Sequence, residues 1–413
     1  MIRDDMEKTR LDWYFTGSVF LLLALSLNVP TGYTYGAVLL LLGSFYCLRK
    51  RGFPELPVGV WWIFTALLAY AVVWMVDGGV RGEGVSDMDR PGRFLLAAIS
   101  LLGVSQVRLP VHTFWAGLAT GSLAAGVIAV FQTLAYDMHR AHAHATDIIL
   151  FGNFAMAFGL MCLCGLIWAF TQKRWVAWSA LLLLGAIGGM TASFLSGSRG
   201  GWLGLAAAFV VLPWVVLKSP FKKRFMFGSF VSLLLILTAV LPNTTFADRV
   251  TAAVDEVGSY FAGERKSTSV GYRLEMWRGA WLLFTDKPVV GVGELKYQEG
   301  MRNLAQSGVV ESGITQFTNA HSLWMDTLGK KGIVGFFVVL MMFIVPMIWW
   351  LNFSRGASAA DLSLAAAGMM MSLSIAISGL THTQFANMGG VMMYGFITAV
   401  LAGISARVYM NRS

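Results

Sequence analysis

Residues 175–217 read WVAWSALLLLGAIGGMTASFLSGSRGGWLGLAAAFVVLPWVVL, and Arg199 is the only charge in the stretch. On either side of Ser196-Gly197-Ser198-Arg199-Gly200-Gly201 lies an apolar run of membrane-spanning length, since about 20 such residues cross a hydrocarbon core. Two membrane helices are therefore joined by a very tight turn whose one charge is an arginine.

The rest of the 413-residue chain has the same character: 56% of it is hydrophobic and 13% charged, against roughly 45–50% and 25% in soluble domains. That composition excludes an ordinary soluble enzyme, a disordered chain and a nucleic-acid-binding domain. Twelve apolar runs of spanning character fall at about 13–29, 33–48, 58–76, 93–107, 111–136, 148–170, 175–195, 201–217, 225–241, 333–351, 361–380 and 389–406. The first is expected to be retained, because its leader mixes Arg3, Lys8 and Arg10 with Asp4, Asp5, Glu7 and Asp12, a poor signal-peptide start. Cys47, Cys162 and Cys164 all lie within apolar runs, which argues against a disulfide or a thiolate metal site.

The links between runs alternate in charge. One set holds Arg49-Lys50-Arg51, Arg108, Lys173-Arg174, Lys218, Lys222-Lys223-Arg224, Arg355 and both termini; the other holds Arg81, Arg90, Arg93, Arg140 and Arg199. By the positive-inside rule the first set and both termini are cytoplasmic. The net charge of +9 is then a topology signal and not an advertisement for an anionic partner. Three regions follow: residues 1–241 with nine spans, a long outer loop over 242–332, and 333–413 with three spans and a cytoplasmic C-terminus. No acidic or basic residue sits mid-run, which argues against an ion-coupled transporter. Pairs such as Gly117/Gly121 and Gly200/Gly204 read as helix-packing contacts.

The long loop has soluble-domain chemistry, with 20 of the chain's 53 charges. Val250, Val254, Val257 and Phe261 recur at helical spacing and predict an amphipathic helix. Residues 263–269 are polar and expected to be mobile. A second helix is expected from near Gly271 to Asp286-Lys287-Pro288, then the turn Gly291-Val292-Gly293 and a polar helix near 295–306. Asn319 is read as the N-cap of a last helix beginning at Ala320-His321 and ending at Gly329 and Gly332.

Several residues here suit anion chemistry. Arg273, Trp277 and Trp281 share a helix face, either to glue the helix down by stacking or to bind phosphate through the guanidinium fork; Arg278 points elsewhere. Arg199 either anchors in lipid headgroups or binds an anion, and the small residues beside it allow close approach. His321, placed in the first turn of a helix, is expected to be neutral because the helix dipole disfavours imidazolium. A neutral ring at an anion site is suited to act as a general base. Lys330-Lys331 reads as headgroup contact where the loop re-enters the membrane. His139, His142 and His144 form either a solvated loop or a metal cluster. Asp87-Met88-Asp89, in another outer loop, is the pattern metal-dependent membrane glycosyltransferases use to hold a divalent cation.

Four motifs in order, Ser196-x-Ser198-Arg199-Gly200, Tyr272-Arg273-x-x-x-Trp277, Gly291-x-Gly293 and His321-Ser322 through Gly329-x-x-Gly332, resemble the O-antigen ligase/polymerase family. The order of elements is similar too: nine or so spans, one large periplasmic loop, then a few more spans. The resemblance implies an all-α polytopic membrane protein of about 12 transmembrane helices with one large helical periplasmic loop, glycosyltransferase-C-like and set in the bacterial inner membrane with its site facing the periplasm. It implies that Arg199 and Arg273 are the functional arginines and His321 the functional histidine, with Trp277, Tyr272, Arg278, Ser198, Lys330 and Lys331 as substrate contacts. It also implies a metal- and ATP-independent reaction needing no cofactor, which leaves Asp87 and Asp89 without a metal role. Length and the single large loop are more similar to the ligase branch, which transfers O-antigen polysaccharide from undecaprenyl pyrophosphate to lipid A-core. The polymerase branch joins repeat units on the carrier, and a third branch glycosylates pilin-like proteins. The implied partners are the lipid-linked donor, lipid A-core and membrane lipids.

Overall fold

The computed structural model describes residues 2–142, 147–226, 228–229, 251, 255–262 and 267–412, with side chains from residue 9 onward except at 85–87. The described residues are helical and contain no strand. Eleven of the twelve apolar runs fall on α1 (Ile2–Leu25), α2 (Tyr33–Arg51), α3 (Val58–Arg81), α4 (Val85–Val104), α5 (Val111–Ala135), α6 (Ile148–Ala169), α7 (Trp175–Ser196), α8 (Arg199–Lys218), α11 (Leu323–Phe353), α12 (Ala359–Ser378) and α13 (Met388–Met410). The run at 225–241 lies almost wholly outside the described residues. Between α8 and α11 stand α9 (Ser269–Asp286) and α10 (Glu294–Gln306).

Eight of these helices, α3, α5–α8 and α11–α13, are long and apolar enough to cross a membrane. The chain is a multi-pass membrane protein, and helices suit that setting because they satisfy their backbone internally. The other three carry charge at one end: Asp12 in α1, Arg49-Lys50-Arg51 in α2, and Asp87, Asp89, Arg90 and Arg93 in α4. They still pack into the bundle, α1 on α2 and α5, and α4 on α2, α3 and α13.

The helix ends follow from sequence chemistry. Pro57 and Pro110 precede α3 and α5, where a missing N–H costs nothing. Asp147 caps α6 by accepting from the Ile149 and Leu150 amides at 2.8 and 3.0 Å, and Ser358 with Asp361 forms a capping box on α12. α6 and α13 are buried along almost their whole apolar length and form the centre; α3 and α8 lie at the edge. Small residues bring helices together: a Cβ on Gly126 of α5 would stand 2.4 Å from the Gly188 Cα of α7. Gly117 and Gly121 meet α1 in the same way, whereas Gly204 has only ordinary contacts.

The two charge sets occupy opposite ends of the bundle. At one end Arg51 donates to the Gln106 carbonyl (3.0 Å), the Arg108 amide to Asp12 (2.8 Å) and Lys218 to Ser354 (3.2 Å), while Arg412 pairs with Asp361 (2.6 Å). At the other, Arg90 donates to Ala386 O and Arg140 to Ser196 O, both at 2.8 Å, and Arg81 donates to Val290 O at 3.0 Å. The second end carries α9 and α10, which gather a small separate core of Met276, Ala280, Leu283, Tyr297, Met301 and Ile314.

The two glycine motifs are halves of one joint. Gly332 breaks α11 with φ 61° and ψ −158°, and residues 288–293 run beside the break. The amides of Val292 and Gly293 donate to Gly329 O and Lys330 O at 3.1 and 2.8 Å, and Ile333 N donates to Pro288 O at 2.8 Å. A Cβ on Gly291, whose φ is 64°, would stand 2.4 Å from the Lys330 carbonyl carbon. Only glycine lets the two backbones lie so close.

Other expectations need correction. α4 runs back to Val85, so Asp87-Met88-Asp89 lies in its first turns and not in a loop, and Asp89 pairs with Arg93 at 2.9 Å. α11 begins at Leu323 with Ser322 as its N-cap, three residues after the expected start. Residues 255–261 are helical as predicted, but Val250 and Val254 lie outside the described residues. So do residues 263–266 of the expected mobile stretch, and His144.

Candidate anion-binding and base site

The turn between α7 and α8 is built to hold Arg199 at the loop end of the bundle. Gly197 takes φ 63°, which ends α7 and turns the chain. The Ser198 hydroxyl donates to Asn153 Oδ1 of α6 at 2.9 Å, and its amide donates to Ser196 Oγ at 3.1 Å. Ser198 is buried and its polar atoms are engaged within the protein, so it fixes the turn. Arg199 follows as the first residue of α8. Its Nη1 is buried and has no hydrogen-bond partner among the described residues.

Arg273 projects from α9 into the same region. Burial depresses its guanidinium most; the positive charges of Arg199 and Arg140 act in the same direction and Glu256 opposes them. Among the described residues neither Arg199 nor Arg273 forms an ion pair. Arg140, whose Nε holds the Ser196 carbonyl, is a third cation that the sequence reading left aside. The like charges of Arg199 and Arg273 repel each other, which a bound anion relieves.

His321 stands beside them in a different backbone setting from the expected one. It precedes α11 by two residues, has φ 46°, and its amide donates to Asn319 Oδ1 at 3.0 Å. Asn319 therefore shapes the strap before the helix and does not cap it. The expected neutrality of the ring has another cause than the helix dipole. Burial, then the charges of His382 and Arg273, lower its pKa to about 4, against a weaker opposing pull from Asp147. Its Nδ1 is buried and unpartnered among the described residues.

Elements on both sides clamp this strap. From α9, Trp277 Nε1 donates to Ala320 O at 3.1 Å, and Tyr272 rests on Phe317 with ring centroids 6.2 Å apart. Phe317 in turn meets the His321 ring edge-on at 5.2 Å. From α11, Asp326 Oδ1 accepts from Ala320 N at 2.9 Å and Lys330 donates to Thr318 O at 3.2 Å. The spacing Tyr272-Arg273-x-x-x-Trp277 thus puts an arginine between two aromatic residues that hold the histidine's strap.

The remaining residues fall elsewhere. Lys330 and Lys331 are 4% and 3% exposed, so neither reaches headgroups. Lys330 pairs with Glu294 at 2.9 Å and Asp326 at 3.1 Å, and Lys331 pairs with Asp77 at 2.6 Å and Glu83 at 3.8 Å. Arg278 is exposed and lies 4.0 Å from Glu275. Trp281 is 49% exposed and does not close a plate around Arg273. His139 is exposed, and the His142 amide donates to Gln132 Oε1 at 3.0 Å.

Sequence reasoning missed His382 and Asp147. His382 Nε2 lies 3.1 Å from Asp147 Oδ2, and its ring centroid is 6.5 Å from that of His321. Asp147 is held to about 2: burial works against ionisation, but the His382 contact and the Leu150 and Ile149 amides outweigh it. The available signals were faint. Asp147 stands just before an apolar run, and Thr381-His382-Thr383-Gln384 is a polar interruption between two others.

A family model described as O-antigen ligase matches residues 189–340, the segment holding Arg199, Arg273, Trp277 and His321. An uncharacterized protein of Haemophilus influenzae is 24% identical over 332 residues, 79% of this chain and 82% of its own. The segment at 189–340, which carries Arg199, Arg273 and His321, is thus similar to the O-antigen ligase family.

Proposed function

We propose that the protein is a glycosyltransferase that moves O-antigen polysaccharide from undecaprenyl pyrophosphate to lipid A-core on the periplasmic side of the bacterial inner membrane. The observation that carries this reading is the pair of buried atoms at one site without a hydrogen-bond partner among the described residues: Arg199 Nη1, which needs an acceptor, and His321 Nδ1. A pyrophosphate oxygen satisfies the first and an acceptor hydroxyl the second.

The chemistry follows from the donor. Pyrophosphate is a good leaving group, so the sugar C1–O bond needs little protonation to break. Charge grows on the departing phosphate oxygens, and Arg199 and Arg273 stabilise it where it develops. His321 takes the proton of the acceptor hydroxyl as its oxygen bonds to C1. The electron pair of the broken bond leaves with the pyrophosphate. Attack opposite the leaving group inverts the anomeric centre.

A cavity along α8 supports a site for the lipid tail. An apolar cavity of about 460 Å³ is lined by Leu163 of α6, Met190 of α7, and Leu205, Phe209, Leu212 and Val216 of α8. Arg199 opens α8, and at about 1.5 Å per residue these α8 positions lie roughly 9 to 25 Å along its axis. A polyprenyl chain entering this cavity leaves its pyrophosphate at the Arg199 end.

Transfer by the purified protein, with lipid-linked O-antigen and lipid A-core in EDTA, tests the reading. Full activity without metal and its loss in His321→Ala are expected. Strict dependence on Mn²⁺ or Mg²⁺, or an active His321→Ala, contradicts it. A polymerase of the same family is separated in cells: loss of a ligase leaves polymer on the lipid carrier, and loss of a polymerase leaves single-repeat lipopolysaccharide.

A further inference from the structure

Beside the candidate base, the second histidine is wired differently. His382 is buried and both ring nitrogens face oxygens: Nε2 faces Asp147 Oδ2 at 3.1 Å and Nδ1 faces Gln384 Oε1 at 3.2 Å. The orientation of the Gln384 amide is fixed by its other end. Ser378 Oγ donates to Ile375 O at 3.2 Å, so it must accept from Gln384 Nε2 at 2.6 Å. The Gln384 oxygen is thereby turned toward His382. Asp147 is an acceptor as well, since it takes Ile149 N and Leu150 N on Oδ1 and Asn387 Nδ2 on Oδ2 at 2.7 Å. Two acceptors on one imidazole are satisfied only when both nitrogens carry hydrogen; either neutral tautomer leaves two lone pairs facing each other. This wiring is joined to the arginine turn, because Gln384 Oε1 also accepts from Asn153 Nδ2 at 3.3 Å and Asn153 Oδ1 accepts from Ser198 at 2.9 Å.

We propose that His382 is held as an imidazolium by Asp147 and Gln384 and acts as a positioning residue whose fixed positive charge, 6.5 Å from the His321 ring, keeps His321 unprotonated while an anionic donor is bound. The inference rests on His321 being the base. Its physical need is clear: a pyrophosphate docked beside His321 attracts a proton to that ring and would disarm it. A cation locked on the other side opposes this. The charged groups facing His321 are His382 from the link before α13, Arg273 from α9 and Asp147 at the start of α6. Those facing His382 are Asp147 and His321.

The test is histidine titration by ¹³C NMR on the full-length purified protein without donor or acceptor, followed by the pH profile of transfer. In the wild type, His382 is expected to show imidazolium shifts at pH 7 and His321 neutral ones. In His382→Gln the His321 midpoint should rise by about one pH unit, the size expected for losing one charge at this distance, and the acid limb of kcat/KM should move with it. His382→Lys, which keeps the charge, should hold the midpoint near the wild-type value. A neutral His382 at pH 7, or a His321 midpoint unmoved in His382→Gln, overturns the proposal. The wild-type measurement needs no variant to fold. Failure of the transferase reading shows separately, as transfer that survives in His321→Ala, and leaves the titration result as it stands.

Discussion

Two groups of cations, the buried Lys330 and Lys331 and the half-buried Arg199 and Arg273, meet near the joint between the long loop and the membrane bundle, and they are treated in opposite ways. Lys330 and Lys331 touch four carboxylates, those of Glu294, Asp326, Asp77 and Glu83. Arg199 and Arg273 have no ion pair among the described residues, and their charges repel each other. A buried cation with its counter-charge in the protein is part of the architecture, and removing one partner leaves an expensive orphan. A buried cation without one is unfavourable until a ligand supplies the anion. That criterion supports the proposed assignment of the arginines as the binding group. Of the lysines, which the motif resemblance had grouped with the substrate contacts, Lys330 braces the strap that carries His321 and Lys331 ties α11 to α3.

The largest effect that can break this contrast is at the arginine site. Arg199→Ala should reduce transfer by about 10²–10³-fold, the usual loss for one preorganised charge stabiliser, while the melting temperature stays level or rises as repulsion with Arg273 is relieved. Lys331→Met should do the reverse. It takes the cation from Glu83 and leaves Asp77 with Arg81 alone at 2.7 Å, and should lower stability by about 3 kcal/mol, with the activity of the remaining folded protein retained. Melting curves and transfer rates on the two variants side by side decide it. A stable but inactive Lys331→Met would exchange the roles.

A smaller effect sharpens the site itself. Trp277→Phe keeps the ring and removes one hydrogen bond to Ala320 O. About 1 kcal/mol is at stake, and the expected consequence is a fall in kcat of roughly fivefold.

The pH dependence has a definite sign. The folded pKa of His321 is about 4, below the ordinary value near 6.5. Between these values the unfolded chain binds a proton that the folded site refuses, so this residue's contribution to stability weakens as pH falls through that window. The base form persists in the folded protein, and kcat/KM should hold down to about pH 4 with no limb near 6.5.

The parts legible in the sequence are those whose cause is local. Apolar length gave eleven helices, and Pro288 with the glycines near it gave the breaks. The turn around Arg199 was visible because its small residues interrupt an otherwise continuous apolar stretch. Pairings over long separations were not visible. Lys331 and Asp77 are 254 residues apart, and His382 and Asp147 are 235 apart; each looks ordinary in its own segment. His321 shows the intermediate case. Its neutrality was anticipated from a helix N-terminus it does not occupy, because a local signal, Asn319, resembles a cap. Burial and the neighbouring positive charges, both tertiary features, are what keep the ring neutral.

Thermal stabilisation of the detergent-purified protein by undecaprenyl pyrophosphate addresses the contrast between the two cation groups most directly. Any ligand that binds only the folded state raises stability in proportion to RT ln(1 + [L]/Kd). The wild type and Lys331→Met, each measured against its own unliganded melting temperature, should be stabilised alike. Arg199→Ala should show no shift at the same concentration. An Arg199→Ala protein stabilised as strongly as the wild type would contradict the assignment of the unpaired arginine as the pyrophosphate site.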